Sequence, residues 1–463
     1  MITLDPQLKP ADLTPALDQL WQLAGQKIRG IHADYPAGAG TPVFTVQGKY
    51  TAQGWTEWTQ GFQFGAAILQ FDASGDEEFL ELGRRAAIDQ MASHVTHFGV
   101  HDHGFNNVST YGNLRRLMLE GRIPRDEREL QLYDLALKAS GAVQAARWST
   151  TADGPGYIYS FNGPHSLFSD TIRTLRSLSL AHRLGHRLMG ENDGAMSLLD
   201  RSIQHARTTA KYNVYYGDGR DLYDIRGRVV HESIFNPNDG RYRCPSTQQG
   251  YSPFSTWTRG LAWIMLGYAE QLEFLGTVDS TELAPLGGRE EIEQMMTTAA
   301  QAACDFYIDQ TPTDGVPYWD TGAPGLVQLG DYLDRPAEPI NDHEPVDSSA
   351  AAIGAQGLLR LASYLDKRGR CAEGRRYWQA GLAVLRTLLN EPYLSSDPAH
   401  QGLLLHSIYH RPRGWDYVPQ GAKIPYGEAC MWGDYHLLEL ALYVSRLARG
   451  ATYYTFYGPK EQR

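Results

Sequence analysis

Apolar positions recur at three- and four-residue spacing along most of the chain, the pattern of helices that each bury one face. Twelve stretches show it: residues 11–30, 58–72, 76–93, 107–120, 125–147, 169–185, 193–212, 255–275, 289–310, 348–367, 371–390 and 428–449. Short turns such as Phe71-Asp72-Ala73-Ser74-Gly75-Asp76 and Asp366-Lys367-Arg368-Gly369-Arg370-Cys371 join neighbours into hairpins. No sustained alternation marks a sheet, and no fixed period marks an open array of repeats. Six hairpins predict an all-α chain closed into an (α/α)6 toroid, a single domain over residues 1–463.

Long Gly-, Pro- and Tyr-rich connections precede every second helix, at 31–57, 95–106, 148–168, 213–254, 311–347 and 391–427. Connections longer than ~12–15 residues usually carry function. All six fall on the same side of their hairpins, so they are expected to gather at one mouth of the toroid and form a cleft there.

Composition narrows what the cleft handles. Hydrophobic residues make up 42% of the 463 and charged residues 21%, a globular balance. The formal net charge of −11, with no Lys/Arg-rich run, argues against a nucleic-acid partner. No stretch approaches the ~20 apolar residues of a membrane span. Met1-Ile2-Thr3-Leu4-Asp5-Pro6 has neither a basic nor an apolar signal region. The four cysteines, Cys244, Cys304, Cys371 and Cys430, form no CxxC pair and read as free thiols, so a cytoplasmic location is expected. Aromatic residues reach 11%, with 10 Trp and 27 Tyr, which suits a cleft that handles sugars as well as a large helical core.

Residues 231–263 concentrate the candidate chemistry. A loop rich in Asn, Asp, Gly and Pro runs into a helix start at Ser255 and Thr256, where a hydroxyl can cap free backbone N–H groups. Around it lie an imidazole (His231), an amide (Gln249), a guanidinium (Arg259) and two indoles (Trp257 and Trp263). This set suits a flat, anionic, hydroxyl-bearing ligand, or else a buried helix end. Two carboxylates stand at the starts of adjacent inner helices: Asp102 in His101-Asp102-His103-Gly104-Phe105 and Asp170 in Phe168-Ser169-Asp170-Thr171-Ile172. Delivered to one mouth they can work as a protonated and an ionised member of a pair. Asp170 also reads as a helix cap and Asp102 as a turn aspartate. His101, Asp102, His103 and His231 match no zinc spacing, no phosphate-cradling glycine loop follows a strand, and no G-x-S-x-G occurs, so neither metal nor cofactor is expected.

Several of these segments occur together, in this order, in one known group. Trp58-Thr59-Gln60-Gly61-Phe62, His101-Asp102-x-Gly104-Phe105, Gln249-Gly250-Tyr251 with Trp257-x-Arg259-Gly260-x-Ala262-Trp263, Pro317-Tyr318-Trp319-Asp320, Asp347-Ser348-Ser349-Ala350-Ala351-Ala352 and Trp432-Gly433-Asp434-Tyr435 span most of the chain. The chain resembles the unsaturated glucuronyl hydrolases, glycoside hydrolase family 88, and more distantly the unsaturated rhamnogalacturonyl hydrolases, family 105. The resemblance implies an (α/α)6 barrel that removes a 4,5-unsaturated uronic acid from the non-reducing end of polysaccharide-lyase products. It hydrates the C4=C5 enol ether, and the resulting hemiketal opens with loss of the glycosidic bond. On the matching positions Asp170 would protonate C4 and help activate the water that attacks C5. Asp102 would hold neighbouring hydroxyls and keep Asp170 in the right protonation state. His101, His231, Gln249 and Arg259 would bind sugar oxygens, with Trp58, Trp257 and Trp263 as ring platforms. The partner is then an unsaturated uronic-acid-terminated oligosaccharide, and the protein a monomer or homodimer.

Protonating a vinyl ether carbon needs a carboxylic acid still protonated near neutral pH, so a raised Asp170 is expected. Three departures from the family pattern fall where sugar contacts are expected. Ile172-Arg173-Thr174-Leu175 replaces a Met-Asn-Leu-like run, Tyr159 and Phe161 stand where a Trp is common, and Gln63 stands for a Trp. Arg173 reads as a second anion contact or as a helix-surface charge. Two other functions share the fold class: a sugar isomerase or epimerase with His101, His103 and His231 as proton shuttles, and a non-catalytic oligosaccharide-binding protein.

Overall fold

The computed structural model describes residues 1–52 and 57–458; residues 53–56 of the 31–57 connection and the last five of the expected 1–463 domain lie outside them. Among the described residues twelve long helices carry the fold. They are α1 (Thr14–Asp34), α2 (Gln60–Ser74), α3 (Glu77–Gln90), α4 (His103–Asn107, a π turn over Val108–Gly112, then Asn113–Leu119), α5 (Glu127–Ala146), α6 (Thr171–Thr174 and Arg176–Arg183), α7 (Leu198–Tyr212), α8 (Thr258–Leu275), α9 (Arg289–Asp309), α10 (Ser348–Lys367), α11 (Cys371–Leu388) and α12 (Met431–Ala448). They form the (α/α)6 toroid, with the even-numbered helices as its inner ring.

Burial separates the two rings. Every residue of α8 except Glu273 is buried, and α12 is buried without interruption from Met431 to Ser445. The outer helix α1 buries one stripe, including Leu17, Leu20, Trp21, Ala24, Ile28 and Ile31, as expected of a helix facing water on one side. Side-chain caps mark several starts: Asp76 accepts from Glu78 N, Asp126 from Arg128 N and Glu129 N, Ser197 from Asp200 N, and Asp347 from Ser349 N and Ala350 N.

Inner helices can pack this closely because glycine faces backbone at the crossings. A Cβ on Gly104 of α4 would stand 2.2 Å from Thr174 O of α6, and one on Gly267 of α8 would stand 2.8 Å from Arg173 N. So α6 lies wedged between α4 and α8, which fixes where their N-terminal ends project. Among the described residues no helix is long and apolar enough to cross a membrane.

The connections hold more structure than their composition suggests. Among the described residues they and the α6–α7 turn carry nine short strands in four small antiparallel sheets. The one that shapes the mouth has three strands, β1 (Ser166–Phe168), β2 (Glu232–Phe235) and β3 (Tyr242–Ser246), in the order β1-β2-β3. Phe168 pairs with Glu232, and Ser169 N donates to His231 O at 2.8 Å. Two stretches far apart in sequence, one ending at Asp170 and one at His231, are thereby held side by side. A two-stranded hairpin, Leu188–Met189 with Ala195–Met196, also takes the start assigned to α7 from sequence, so that helix begins at Leu198 rather than 193.

Candidate active site

The N-terminal ends of the inner helices open into one cleft of about 1490 Å3, its mouth included. The part that a water-sized sphere can fill is about 480 Å3, within the roughly 300–1,000 Å3 of a small-ligand pocket. Asp102 stands immediately before α4 and Asp170 immediately before α6, and both line this cleft. Neither side chain caps its helix, so the alternative reading of Asp170 as a structural cap is not met.

His101, next to Asp102 in the chain, reaches across to Asp170. Its ring is buried, and Nε2 donates to Asp170 Oδ1 at 3.0 Å. Phe161 stacks on the ring at 6.2 Å and Phe168 meets it edge-on at 5.6 Å. Burial pulls the imidazole's pKa down, but the charges of Asp102 and Asp170 and the hydrogen bond outweigh this and raise it. The carboxyls move apart. Burial, reinforced by the charge of Asp170, raises Asp102 against the opposing pull of His101 and Arg147. Burial pushes Asp170 the same way, yet the charge and hydrogen bond of His101, with His231 and Arg259 beyond, hold it below the usual carboxylate range. The expectation of a raised Asp170 is therefore corrected: the protein's own groups raise Asp102 and His101 and lower Asp170.

His231 is neutral. Its Nδ1 accepts from the backbone N–H of Gln248 at 3.0 Å, which places its proton on Nε2. Burial brings the ring down to about 4. Its Nε2–H is buried without a partner among the described residues, and His231 lies outside the lining of the cleft, behind Phe168 and Trp257. Phe168 at 4.4 Å and Trp257 at 4.7 Å hold the ring in place.

Arg259 lines the cleft, but its terminal nitrogens already have protein acceptors. Nη1 donates to Asp347 Oδ2 at 2.6 Å and to Ile408 O, while Nη2 donates to Gln249 Oε1 at 3.0 Å and Tyr409 O at 2.7 Å. The guanidinium lies 4.6 Å over the Trp257 ring. A free bidentate fork for a sugar carboxylate is thus absent. Arg259 fixes Gln249, whose carbonyl faces the arginine and whose NH2 is left for other acceptors.

The three predicted indoles all line the cleft. Trp58 stacks on Trp432 at 5.1 Å, Trp263 is buried 4.8 Å from Phe105, and Trp257 closes the wall beside His231. Of the departures, Phe161 stands in the cleft, whereas Gln63 faces a small interior cavity shared with His32 and Asp434 and touches no part of the mouth. Arg173 is neither an anion contact in the cleft nor a surface charge. It is fully buried on the toroid axis, 2.8 Å from Glu270 and 3.0 Å from Glu439. His103, offered as a proton shuttle, lies outside the cleft lining and bonds Ser140 and His97 O.

Sequence reasoning missed Tyr409, His410, Arg413 and Trp415, which form the opposite wall. They come from the 391–427 connection, where aromatic density was a signal but no periodicity says which rings point inward. Among the described residues no three His, Cys, Asp or Glu side chains are grouped to hold a metal ion.

An (α/α)6 toroid with an acid pair and an aromatic-walled cleft at the N-terminal ends of its inner helices is the class that fold and site define. No protein-family model matches the chain. It is 28% identical over 420 residues to the unsaturated glucuronyl hydrolase of Bacillus sp. (strain GL1), covering 88% of this chain and 90% of that protein. It is 24% identical over 451 residues to the unsaturated chondroitin disaccharide hydrolase of Streptococcus pyogenes serotype M1, covering 95% and 93%. The crystal structure of unsaturated glucuronyl hydrolase from Bacillus sp. GL1 superposes with a TM-score of 0.67 at 24% identity, covering 96% of this chain and 100% of that one. An unsaturated glucuronyl hydrolase specific for heparin does so with a TM-score of 0.70 at 20% identity, covering 95% and 100%. The resemblance read from the motifs is borne out by these relatives, and the toroid is the fold of those structures.

Proposed function

We propose that this chain is an unsaturated uronyl hydrolase: it removes a 4,5-unsaturated uronic acid from the non-reducing end of lyase-derived oligosaccharides by hydrating C4=C5. The observation that carries this is the meeting of Asp102, His101 and Asp170 at the base of one aromatic-walled cleft. Relatives named for the same reaction support it, as does a related structure in complex with dGlcA-Glc-Rha-Glc.

The electrostatics suggest how the proton is held. His101 and Asp170 share one proton across a 3.0 Å hydrogen bond. A substrate carboxylate entering the cleft adds negative charge and removes water, and both effects raise Asp170 toward the protonated form. Asp170 then delivers the proton to C4 and, once ionised, draws a proton from the water attacking C5. In its ionised form Asp102 steadies the cation-like carbon in between. The Gln249 NH2 holds a sugar oxygen, His231 braces Phe168 and Trp257 from behind, and Trp58, Trp257 and Trp263 face the rings.

The whole chain is read as one catalytic domain, acting without a cofactor on a charged oligosaccharide, as a monomer or homodimer. Its free thiols, exposed at Cys244 and Cys371, suit a reducing cytoplasm. The test is loss of the ultraviolet band of the conjugated C=C–COOH when purified protein meets unsaturated disaccharides from chondroitin, heparin, gellan, ulvan and pectin lyases. Asp170→Asn should remove turnover with the fold intact; turnover that survives it moves the acid elsewhere.

A further inference from the structure

Arg147 ends α5 and is buried beside the cleft without lining it. Its guanidinium has three carbonyl acceptors on two different connections. Nη1 donates to Phe98 O, Nε to Tyr159 O at 3.2 Å and Nη2 to Ser160 O at 2.6 Å. Tyr159 N donates back to Arg147 O at 3.1 Å, and the guanidinium lies 4.4 Å over the Tyr159 ring. Among the described residues no carboxylate lies within ion-pair distance of it. A buried guanidinium with only neutral acceptors keeps an uncompensated positive charge, and the acid that this charge reaches is Asp102.

We propose that Arg147 is a positioning residue for the reaction, tying the segment that delivers His101 and Asp102 to the segment that delivers Phe161 from behind the cleft wall. Phe98 is three residues before His101, and Ser160 directly precedes Phe161, so one side chain registers both lips. A planar fork suits three carbonyls at fixed angles; a lysine ammonium cannot match it. The inference rests on Asp102 acting as described above.

Several groups bear on Asp102: His101 and His97 on its own segment, Asp170 before α6, Arg147 at the end of α5 and the Tyr409 phenol from the opposite wall. Arg147 opposes the rise of Asp102 and also lowers His101. In the proposed reaction the acid limb of kcat/KM reports ionisation of Asp102, and the alkaline limb reports loss of the His101–Asp170 proton. Removing the positive charge lets both groups rise, so the whole bell moves to higher pH.

Arg147→Gln and Arg147→Lys separate charge from geometry. The Gln variant should shift the kcat/KM profile upward by about one pH unit. The Lys variant should leave the profile in place while KM rises roughly tenfold, since one ammonium cannot hold both lips. Carboxyl 13C titration of Asp102, identified by its loss in Asp102→Asn, reads the same shift without turnover. The proposal is overturned if Gln leaves both the profile and the Asp102 titration unmoved, or if Lys moves them as far as Gln. Should Gln fail to fold, the Lys variant still decides, because a moved Asp102 titration there contradicts it. If the wild-type protein consumes no unsaturated disaccharide, the reaction fails while the titration still tests Arg147.

Discussion

Gly104→Ala tests whether the crossing of α4 and α6 sets the distance between the two acids. Gly104 is two residues after Asp102, and its missing side chain faces α6 four residues after Asp170. An added Cβ would stand 2.2 Å from Thr174 O and 2.5 Å from Thr174 Cα, against 3.4 Å for ordinary contact. The helices must therefore separate by about 1.2 Å (3.4 − 2.2). Both neighbours are backbone atoms, so no side chain can swing aside. Overpacking of this kind costs about 1–3 kcal/mol, and a misplacement near 1 Å can cost about 10²-fold in rate. The expected outcome is a melting temperature lower by a few degrees and a kcat/KM on an unsaturated disaccharide down by about two orders of magnitude.

A control isolates the cause. Gly30 lies in α1 with nothing within 4 Å of its notional Cβ, so Gly30→Ala should stabilise by about 0.5–1 kcal/mol through helix propensity alone and leave kcat/KM unchanged. The measurements are scanning fluorimetry and the ultraviolet assay on both variants. Wild-type melting and turnover in Gly104→Ala, or an equal loss in Gly30→Ala, would refute the claim that close backbone contact positions the acids.

Other consequences concern stability and charge. Arg173→Met removes one of the two guanidiniums shared by Glu270 and Glu439 and leaves Arg176 at 3.9 and 3.5 Å from them, so urea denaturation should show a loss of about 3 kcal/mol; an unchanged midpoint would mean that Arg176 alone suffices. The rings of His32, His94, His103, His231 and His410 are held down to about 4, and those of His205 and His436 to about 3, chiefly by burial. Their depressed values give stability that is present above the unfolded pKa of ~6.5 and is lost as pH falls toward 4. Asp320 and Asp416, raised to about 6, Glu273, raised to about 7, and the raised Asp102, Asp314, Asp434 and His101 act in the opposite sense and offset part of this. Each uncompensated proton is worth ~1.4 kcal/mol per pH unit, so unfolding at about pH 5 should need markedly less denaturant than at about pH 7. Equal midpoints would contradict the burial of these rings. Gln249→Ala should raise KM far more than it lowers thermal stability, since Arg259 keeps Asp347 and two carbonyls; a large melting loss would make Gln249 structural.

What the sequence reveals about the molecule follows the range of each interaction. Helices were legible because their period is local and their caps lie within one turn, as with Asp76, Asp126, Ser197 and Asp347. Asp102 and Asp170 were legible because each sits at a connection–helix junction, and a toroid sends all such junctions to one end. Their electrostatic roles were not, because the neighbours that decide them are distant in sequence: His101 is 69 residues from Asp170, and the strand pair that brings up His231 is a tertiary event. Arg259 shows the same limit, since its acceptors stand 88, 149 and 150 residues away. Arg173 was misplaced for a further reason: helical spacing finds the buried face of an outer helix, but an inner helix has no outward face. A charge on it must find partners across the axis, here Glu439 at a separation of 266. The same reasoning makes the wall residues that sequence missed intelligible. Tyr409 and His410 are set not by periodicity but by the Asp416 carboxylate, which accepts the backbone N–H groups of Tyr409 and of His410, the latter at 3.0 Å. A cleft wall built this way depends on a few buried polar pins, so its specificity can change by altering a pin while the toroid beneath stays the same.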